Sequence, residues 1–266
     1  TSIPTKRKIA YLEALLKVGF DTLDMGSFVS PKAIPQMADT RQVLDAVDKS
    51  KGKSKFLTIV ANRRGAEAAC KHHKIDCVGY PFSISENFQM RNTHKTIADS
   101  IIFLEELSAM VCKHKKELIV YLSMGFGNPY VDPWSCALVG EWVDRLAGLG
   151  VKTINLSDTV GTAELMDITN LFSTLIPQFP AIEFGAHLHT QSEQATLKIE
   201  AAYAAGCRRF DGAIKGFGGC PMAKDELVGN MPTEKLISFL SQKKIAHKYD
   251  VLAFESAYNE ALKTFI

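Results

Sequence analysis

The chain has 266 residues, of which 46% are hydrophobic and 23% are charged, and its formal net charge is +2. This length and composition are typical of a globular protein with a large core, built either as one large α/β barrel or as two domains. The small net charge gives no reason to expect nucleic acid or an acidic membrane as a partner. No apolar run is long enough to cross a bilayer, the first residues lack a secretory segment, and the six cysteines form no disulfide framework. We therefore expect a cytoplasmic protein.

Strand and helix patterns alternate along the sequence. A first helix is predicted to start near Pro4 and to stop at Gly19. Seven short β-type runs follow, at 22–25, 56–60, 77–80, 118–122, 153–156, 182–186 and 209–212. Helical patterns separate and follow them, at 40–47, 65–71, 95–115, 134–149, 163–175, 193–205, 233–242 and 249–263. The segments 26–39 and 82–93 are predicted to be loops.

This alternation predicts a parallel α/β fold. A dinucleotide-binding fold is disfavoured, because no GxGxxG turn with a downstream acid occurs. The pattern contains seven strands, each followed by a helix, whereas a TIM (β/α)8 barrel has eight. We expect one barrel domain over residues 1–266 with C-terminal helices, whose first strand lies upstream of Thr1.

The segment AIEFGAHLH, residues 181–189, places two histidines at the end of a predicted strand. Side chains alternate along a strand, so His187 and His189 face the same way, roughly 7 Å apart along the chain. Two imidazoles so placed can share one metal ion. The alternative is a pair of polar residues that bind backbone or water. The other five histidines fall in helices or polar turns, and we expect them at the surface.

In a β/α barrel the loops after the strands build the active site, and these loops contain three further candidates. Asp158 closes a strand and could orient a ligand or move a proton, or else cap the next helix. Asp24 could likewise orient a ligand or move a proton, or else form a salt bridge that anchors its loop. Cys220 follows a glycine-rich loop, where a thiol can act as an acid, a base or a redox-sensitive group, or be structural.

Several motifs together carry a family resemblance: GSFVSPKAIPQMAD, NLSDTVG, HLH at a strand end, and GFGGCP followed by VGN. In this order they resemble the motifs of the 3-hydroxy-3-methylglutaryl-CoA lyases of the DRE-TIM metallolyase superfamily. The resemblance implies a TIM barrel in which His187, His189 and Asn230 bind Mg²⁺ or Mn²⁺. It also implies a fourth ligand, an Asp beside an Arg, on the upstream strand.

The resemblance further implies retro-Claisen cleavage of an acyl-CoA to acetyl-CoA and a keto product, as in leucine catabolism. Cys220 would be the catalytic cysteine, Asp158 the active-site aspartate, and Asp24 would stand where these lyases have Glu. A base near His187 or Asp158 would take the hydroxyl proton, and the enzyme would form a homodimer.

The sequence also departs from the family. Residues 190–194 read TQSEQ where the lyases have DTYGQ, and Lys198 replaces a usual Asn. Two alternatives therefore stay open: a Claisen-condensing acyltransferase or aldolase of the same superfamily, and a barrel without catalytic turnover.

Overall fold

The computed structural model describes residues 3–219 and 228–266. In this part of the chain seven strands alternate with helices, and their order in the parallel sheet is the order of the sequence. The strands are β1 (Thr22–Ser27), β2 (Lys55–Ile59), β3 (Cys77–Ser83), β4 (Glu117–Ser123), β5 (Thr153–Asp158), β6 (Glu183–Leu188) and β7 (Arg209–Phe210). The helices are α1 (Thr5–Val18), α2 (Thr40–Ala46), α3 (Arg63–Lys71), α4 (Glu86–Thr93), α5 (Ile97–Lys113), α6 (Cys136–Gly148), α7 (Leu165–Gln178), α8 (Ala195–Ala204), α9 (Thr233–Gln242) and α10 (Val251–Phe265).

The chain divides into two compact units. The first contains Thr1–Tyr80, Ala109–Glu117 and His247–Ile266. In it, β1 pairs with β2 and β2 with β3, all parallel, around buried side chains such as Phe56. Helix α1 starts after Pro4 and ends at Gly19, whose φ of 88° is in the left-handed region that favours glycine.

The second unit contains Pro81–Ser108 and Leu118–Ala246. Strands β4 to β7 pair in parallel here, and β5 and β6 share six consecutive residue pairs, from Thr153–Glu183 to Asp158–Leu188. Apolar side chains of β5 and of α7 are fully buried between the strands and helices. Because the strands are parallel, their carboxyl ends lie at one edge, and the residues that follow them come together there.

The alternating α/β class is confirmed, with seven strands in the described residues. A single barrel domain over 1–266, completed by an upstream strand, stays a prediction. Two expectations were wrong: the segment 82–93 contains α4 in place of a loop, and His72, expected at the surface, is buried. The side-chain oxygen of Ser85 caps this helix by accepting a hydrogen bond from the backbone N–H of Phe88.

None of the helices within 3–219 and 228–266 has the length and apolar character that crossing a membrane requires.

Candidate active site

The two histidines of the HxH motif lie at the carboxyl end of β6. His187 is in register with Ser157 of β5, and His189 follows the strand directly. The ring centroids of His187 and His189 are 5.5 Å apart, and their planes are tilted by 54°. The prediction that these two side chains face the same way is therefore correct, and their rings are close enough to act on one ligand.

His187 is oriented by a carboxylate that the sequence did not single out. Its Nδ1 lies 3.0 Å from Oδ2 of Asp211, and the amide of Asn155 donates to the same oxygen at 2.7 Å. A carboxylate partner favours the tautomer with the proton on Nδ1. Nε2 of His187 is then left to accept a proton or to bind a cation.

Asn155 contacts Asp211 across Gly185, which has no side chain. A Cβ built on Gly185 would lie 2.2 Å from Oδ1 of Asn155, which is a severe clash. Glycine at this position of β6 therefore allows Asn155, which is completely buried, to lie beside Asp211 and to hold the partner of His187.

His189 is almost fully buried, with 4% of its surface exposed. Burial, together with the nearby His187, lowers the pKa of His189 to about 4, although hydrogen bonds to the Thr159 backbone and the Asn230 side chain act in the opposite direction. The imidazole is consequently neutral at physiological pH, which is the form that binds metal ions.

Asn230 lies next to His189, with which it forms an isolated antiparallel bridge. Its side-chain amide donates to the carbonyl oxygen of Phe217 at 2.9 Å, and its backbone N–H donates to Gly216. Because the amide nitrogen donates to Phe217, the hydrogen bond that raises the pKa of His189 ends on Oδ1 of Asn230, which is therefore the Asn230 atom that faces the His189 ring.

Asp158 is a buried anchor for the loop after β5. Its Oδ1 accepts from the backbone N–H of Thr162 at 2.9 Å, and its Oδ2 accepts from Ala163 at 3.1 Å and from Nζ of Lys198 at 3.0 Å. Burial raises the pKa of Asp158, while Lys198 and the two N–H groups act in the opposite direction. The carboxylate thus anchors the loop between β5 and α7. It does not cap α7, whose N-cap residue is Glu164, and its catalytic role stays a prediction.

Lys198 is the second residue near the site whose contacts the sequence did not predict. It lies in the first turn of α8 and is 2% exposed. Its departure from the family pattern was the only signal in the sequence, and the pattern gave no partner for the ammonium.

Asp24 and Cys220 are the remaining predicted site residues. Asp24 belongs to β1 in the first unit, is exposed, and accepts a hydrogen bond from the backbone N–H of Gly26 at 2.9 Å. Cys220 lies outside the described residues. The preceding Gly218 and Gly219 have φ values of 95° and 151°, so this loop uses backbone conformations that favour glycine.

The residues near the end of β6 offer nitrogen and oxygen donors for a divalent cation. Among residues 3–219 and 228–266, no three His, Cys, Asp or Glu side chains form a metal-binding group. His187 and the neutral His189 offer ring nitrogens, and Asn230 offers an amide oxygen. This mixed nitrogen and oxygen set fits Mn²⁺ or Mg²⁺ as part of a coordination sphere, with further oxygen ligands from substrate or water.

The chain matches a known protein family and several characterised relatives. The HMGL-like family model matches residues 1–260. The chain is 30% identical to hydroxymethylglutaryl-CoA lyase of Bacillus subtilis over 243 residues, covering 91% of this chain and 80% of that protein. It is 30% identical to the 3-hydroxy-3-isohexenylglutaryl-CoA/hydroxymethylglutaryl-CoA lyase of Pseudomonas aeruginosa over 254 residues, covering 94% of this chain and 82% of that protein.

A solved structure gives the same result. The HMG-CoA lyase from Acinetobacter baumannii, in complex with coenzyme A and 3-methylmalate, matches with a TM-score of 0.90 and 28% identity, covering 98% of this chain and 84% of that one. The family model alone spans well over half of the chain. The chain therefore belongs to the HMGL-like family and is a hydroxymethylglutaryl-CoA lyase-like enzyme.

Proposed function

We propose that this enzyme is a divalent-metal-dependent lyase that cleaves a 3-hydroxy-3-methylglutaryl-CoA-like acyl-CoA to acetyl-CoA and a keto acid, acetoacetate for the parent substrate. The observation that carries the proposal is the convergence of His187, His189 and Asn230, with Nδ1 of His187 held by Asp211. The printed names of the relatives support the substrate class, and the structure from Acinetobacter baumannii contains coenzyme A.

The cation is Mg²⁺ or Mn²⁺, and His187, His189 and Asn230 are the residues of this chain that would hold it. Bound there, it would lower the pKa of the tertiary hydroxyl of the substrate and offset the negative charge of the products. The neutral state of His189 and the position of Oδ1 of Asn230 beside its ring support this role.

Proton removal from the hydroxyl requires a base, and His187 and Asp158 are the candidates. Both oxygens of Asp158 accept hydrogen bonds from the protein, and its side chain is 1% exposed. The side chain of His187 is 29% exposed, and its Nδ1 lies 3.0 Å from Oδ2 of Asp211. The contacts leave Nε2 of His187 as the more accessible proton acceptor of the two, provided that this nitrogen does not bind the cation.

The same Nε2 cannot bind a cation and accept a proton in one step, so the two roles of His187 can be separated. His187→Gln and His189→Gln should be compared for Mn²⁺ affinity and for kcat. A ligand loses Mn²⁺ affinity on substitution, whereas a base keeps that affinity and loses kcat by about 10²–10⁴-fold.

Bond cleavage leaves a thioester enolate that must gain a proton at carbon. By resemblance, Cys220 donates this proton, and its glycine-rich loop keeps water away from the enolate. Asp24 takes the position of the glutamate of related lyases. We further propose a homodimer in the cytoplasm.

The decisive experiment uses the natural full-length protein with Mn²⁺ and 3-hydroxy-3-methylglutaryl-CoA, with acetyl-CoA release as the readout. We expect cleavage that stops on chelation of the metal and that Cys220→Ala and His187→Ala strongly reduce. If neither this nor a related hydroxyacyl-CoA is cleaved, the lyase proposal fails. Product formation only from acetyl-CoA and a keto acid would instead identify a condensing enzyme, and turnover in neither direction an inactive barrel.

A further inference from the structure

Lys198 carries a charge in a place that ordinarily excludes one. It is 2% exposed, and it lies in the first turn of α8, where the helix dipole disfavours a cation. A buried ammonium needs partners for its protons. The contacts of Lys198 must therefore compensate for both its burial and its position.

The ammonium has three acceptors. Nζ of Lys198 lies 3.0 Å from Oδ2 of Asp158, 3.2 Å from the carbonyl oxygen of Gly161 and 3.3 Å from the carbonyl oxygen of His189. An ammonium group has three protons, so all of its hydrogen-bonding capacity is used. One side chain thus ties the loop after β5 to the end of β6.

The contact with Gly161 extends to the segment that carries Asn230. A Cβ built on Gly161 would lie 2.7 Å from Cγ1 of Val228, so this turn packs tightly against the Val228 side chain. Gly229 accepts a hydrogen bond from the backbone N–H of Thr190, and Asn230 pairs with His189. Lys198 is therefore connected to His189 directly and to Asn230 through Gly161 and Val228.

We propose that Lys198 is a positioning residue that sets the main chain of His189 and of residues 228–230, and thereby the spacing between the His189 ring and the Asn230 amide. Neutralising Asp158 is its second effect. The proposal deepens the proposed function and rests on it for the metal readout, but the histidine geometry can be tested without any metal.

The test must separate positioning from charge neutralisation. Lys198→Met alone leaves Asp158 buried without a countercharge, so any loss would be ambiguous. Two double variants solve this: Asp158→Asn/Lys198→Met and Asp158→Asn/Lys198→Gln. Both remove both charges, but only glutamine keeps side-chain N–H donors for the carbonyl oxygens of Gly161 and His189, on a nitrogen one bond nearer the main chain than Nζ.

The first readout is the ¹⁵N spectrum of the histidine rings in the metal-free protein. We expect the His189 signals of the glutamine variant to stay near those of the unmodified protein, and those of the methionine variant to move. The second readout is the dissociation constant for Mn²⁺ alone, measured by electron paramagnetic resonance. It should rise at least about tenfold in the methionine variant relative to the glutamine variant, since residues that orient metal ligands contribute to affinity on this scale.

Identical histidine spectra in the two double variants would overturn the proposal, and so would equal Mn²⁺ affinities. If the unmodified protein binds no Mn²⁺, the proposed function fails on its own, and the histidine spectra still decide the role of Lys198. If the methionine variant does not fold, Gly161→Ala tests the same connection. Its added methyl should displace Val228 and move the His189 and Asn230 signals, and unchanged signals would overturn the proposal.

Discussion

Two lysines of this protein each use their ammonium group to bind three oxygen atoms, one in each compact unit. In the first unit, Nζ of Lys74 donates to the carbonyl oxygens of Leu44, Asp45 and Val47 at 2.7–2.9 Å, where α2 ends. In the second unit, Lys198 donates to one carboxylate and two carbonyls beside the first turn of α8. Lys74 is half-buried, whereas Lys198 is 2% exposed.

The two lysines differ in whether the neighbouring helix end favours a positive charge. The last carbonyls of a helix lack partners within it, and the helix dipole favours a cation there. The Lys74 ammonium lies at this end of α2 and therefore stabilises that helix. Lys198, in contrast, lies at the N-terminal end of its own helix, α8, and is buried. Asp158 and the two carbonyl oxygens, which accept its three hydrogen bonds, compensate for this unfavourable position. A residue that contradicts its local preferences in this way is commonly part of a functional site.

The largest expected effect is on stability, from Lys198→Met. The carboxylate of Asp158, 1% exposed, would lose its countercharge, and breaking a buried pair from one side costs about 3–5 kcal/mol in the free energy of unfolding. Denaturation in urea measures this quantity. Adding Asp158→Asn should recover a large part of the loss, and a single-variant loss below about 1 kcal/mol would contradict the importance of the buried pair.

The next effect concerns the other carboxylate of the site. Asp211→Asn removes the charge that orients His187, and Mn²⁺ affinity or kcat should fall by about 10–100-fold with little change in stability. Titration with Mn²⁺ and steady-state kinetics measure these quantities. A suitable control is Glu183→Gln, because the Glu183 side chain is 58% exposed and contacts Arg209. Equal effects of the two substitutions would count against a role of Asp211 in orienting His187.

Lys74→Met should have a smaller effect, of a different kind. The loss of charge-assisted bonds at the end of α2 should lower the free energy of unfolding by about 1–2 kcal/mol and leave kcat and KM unchanged. Denaturation and kinetics on one preparation measure both. A fall in kcat comparable to that of a Lys198 variant would remove the distinction between the two lysines.

The smallest effect is a pH dependence in the Lys74 region. Burial lowers the pKa of His72 from 6.5, although Asp45, 3.0 Å from its ring, acts in the opposite direction; His73 and Lys74 also favour the neutral ring. A histidine whose folded-state pKa is depressed stabilises the fold above its unfolded pKa and loses that contribution as the pH falls below it. The free energy of unfolding should therefore decline from about pH 7.5 to about pH 5.5, and His72→Gln should make this decline shallower. Parallel slopes for the two proteins would contradict a buried neutral His72.

The alternation of strands and helices was predictable because buried strands and amphipathic helices have different periodicities. The shared face of His187 and His189 followed from strand geometry alone. Helix α4 was missed because few of its side chains are apolar, although Ser85 and Glu86 are a recognisable start signal. His72 was expected at the surface but is buried beside Asp45, a contact between α2 and the end of α3 that no local pattern encodes.

The two residues missed at the site depend on long-range register. Asp211 meets His187 because β6 and β7 pair Ala186 with Phe210, which places the next residue of each strand side by side. Lys198 meets Asp158 because α8 packs beside the end of β5, 40 residues away in sequence. Single-sequence patterns report what a segment prefers locally and give no information about which distant segment it will contact.

Gly185 has a consequence for the evolution and engineering of this site. A single methyl group there would collide with Asn155, and Asn155 and His187 share one oxygen of Asp211. The contact that favours a proton on Nδ1 of His187 thus depends on Gly185, a residue that has no side chain. A redesign that transfers this histidine pair to another protein must therefore keep glycine at the position beside Asn155 as well as the polar groups. Without it, the proton of the first histidine is no longer held on Nδ1.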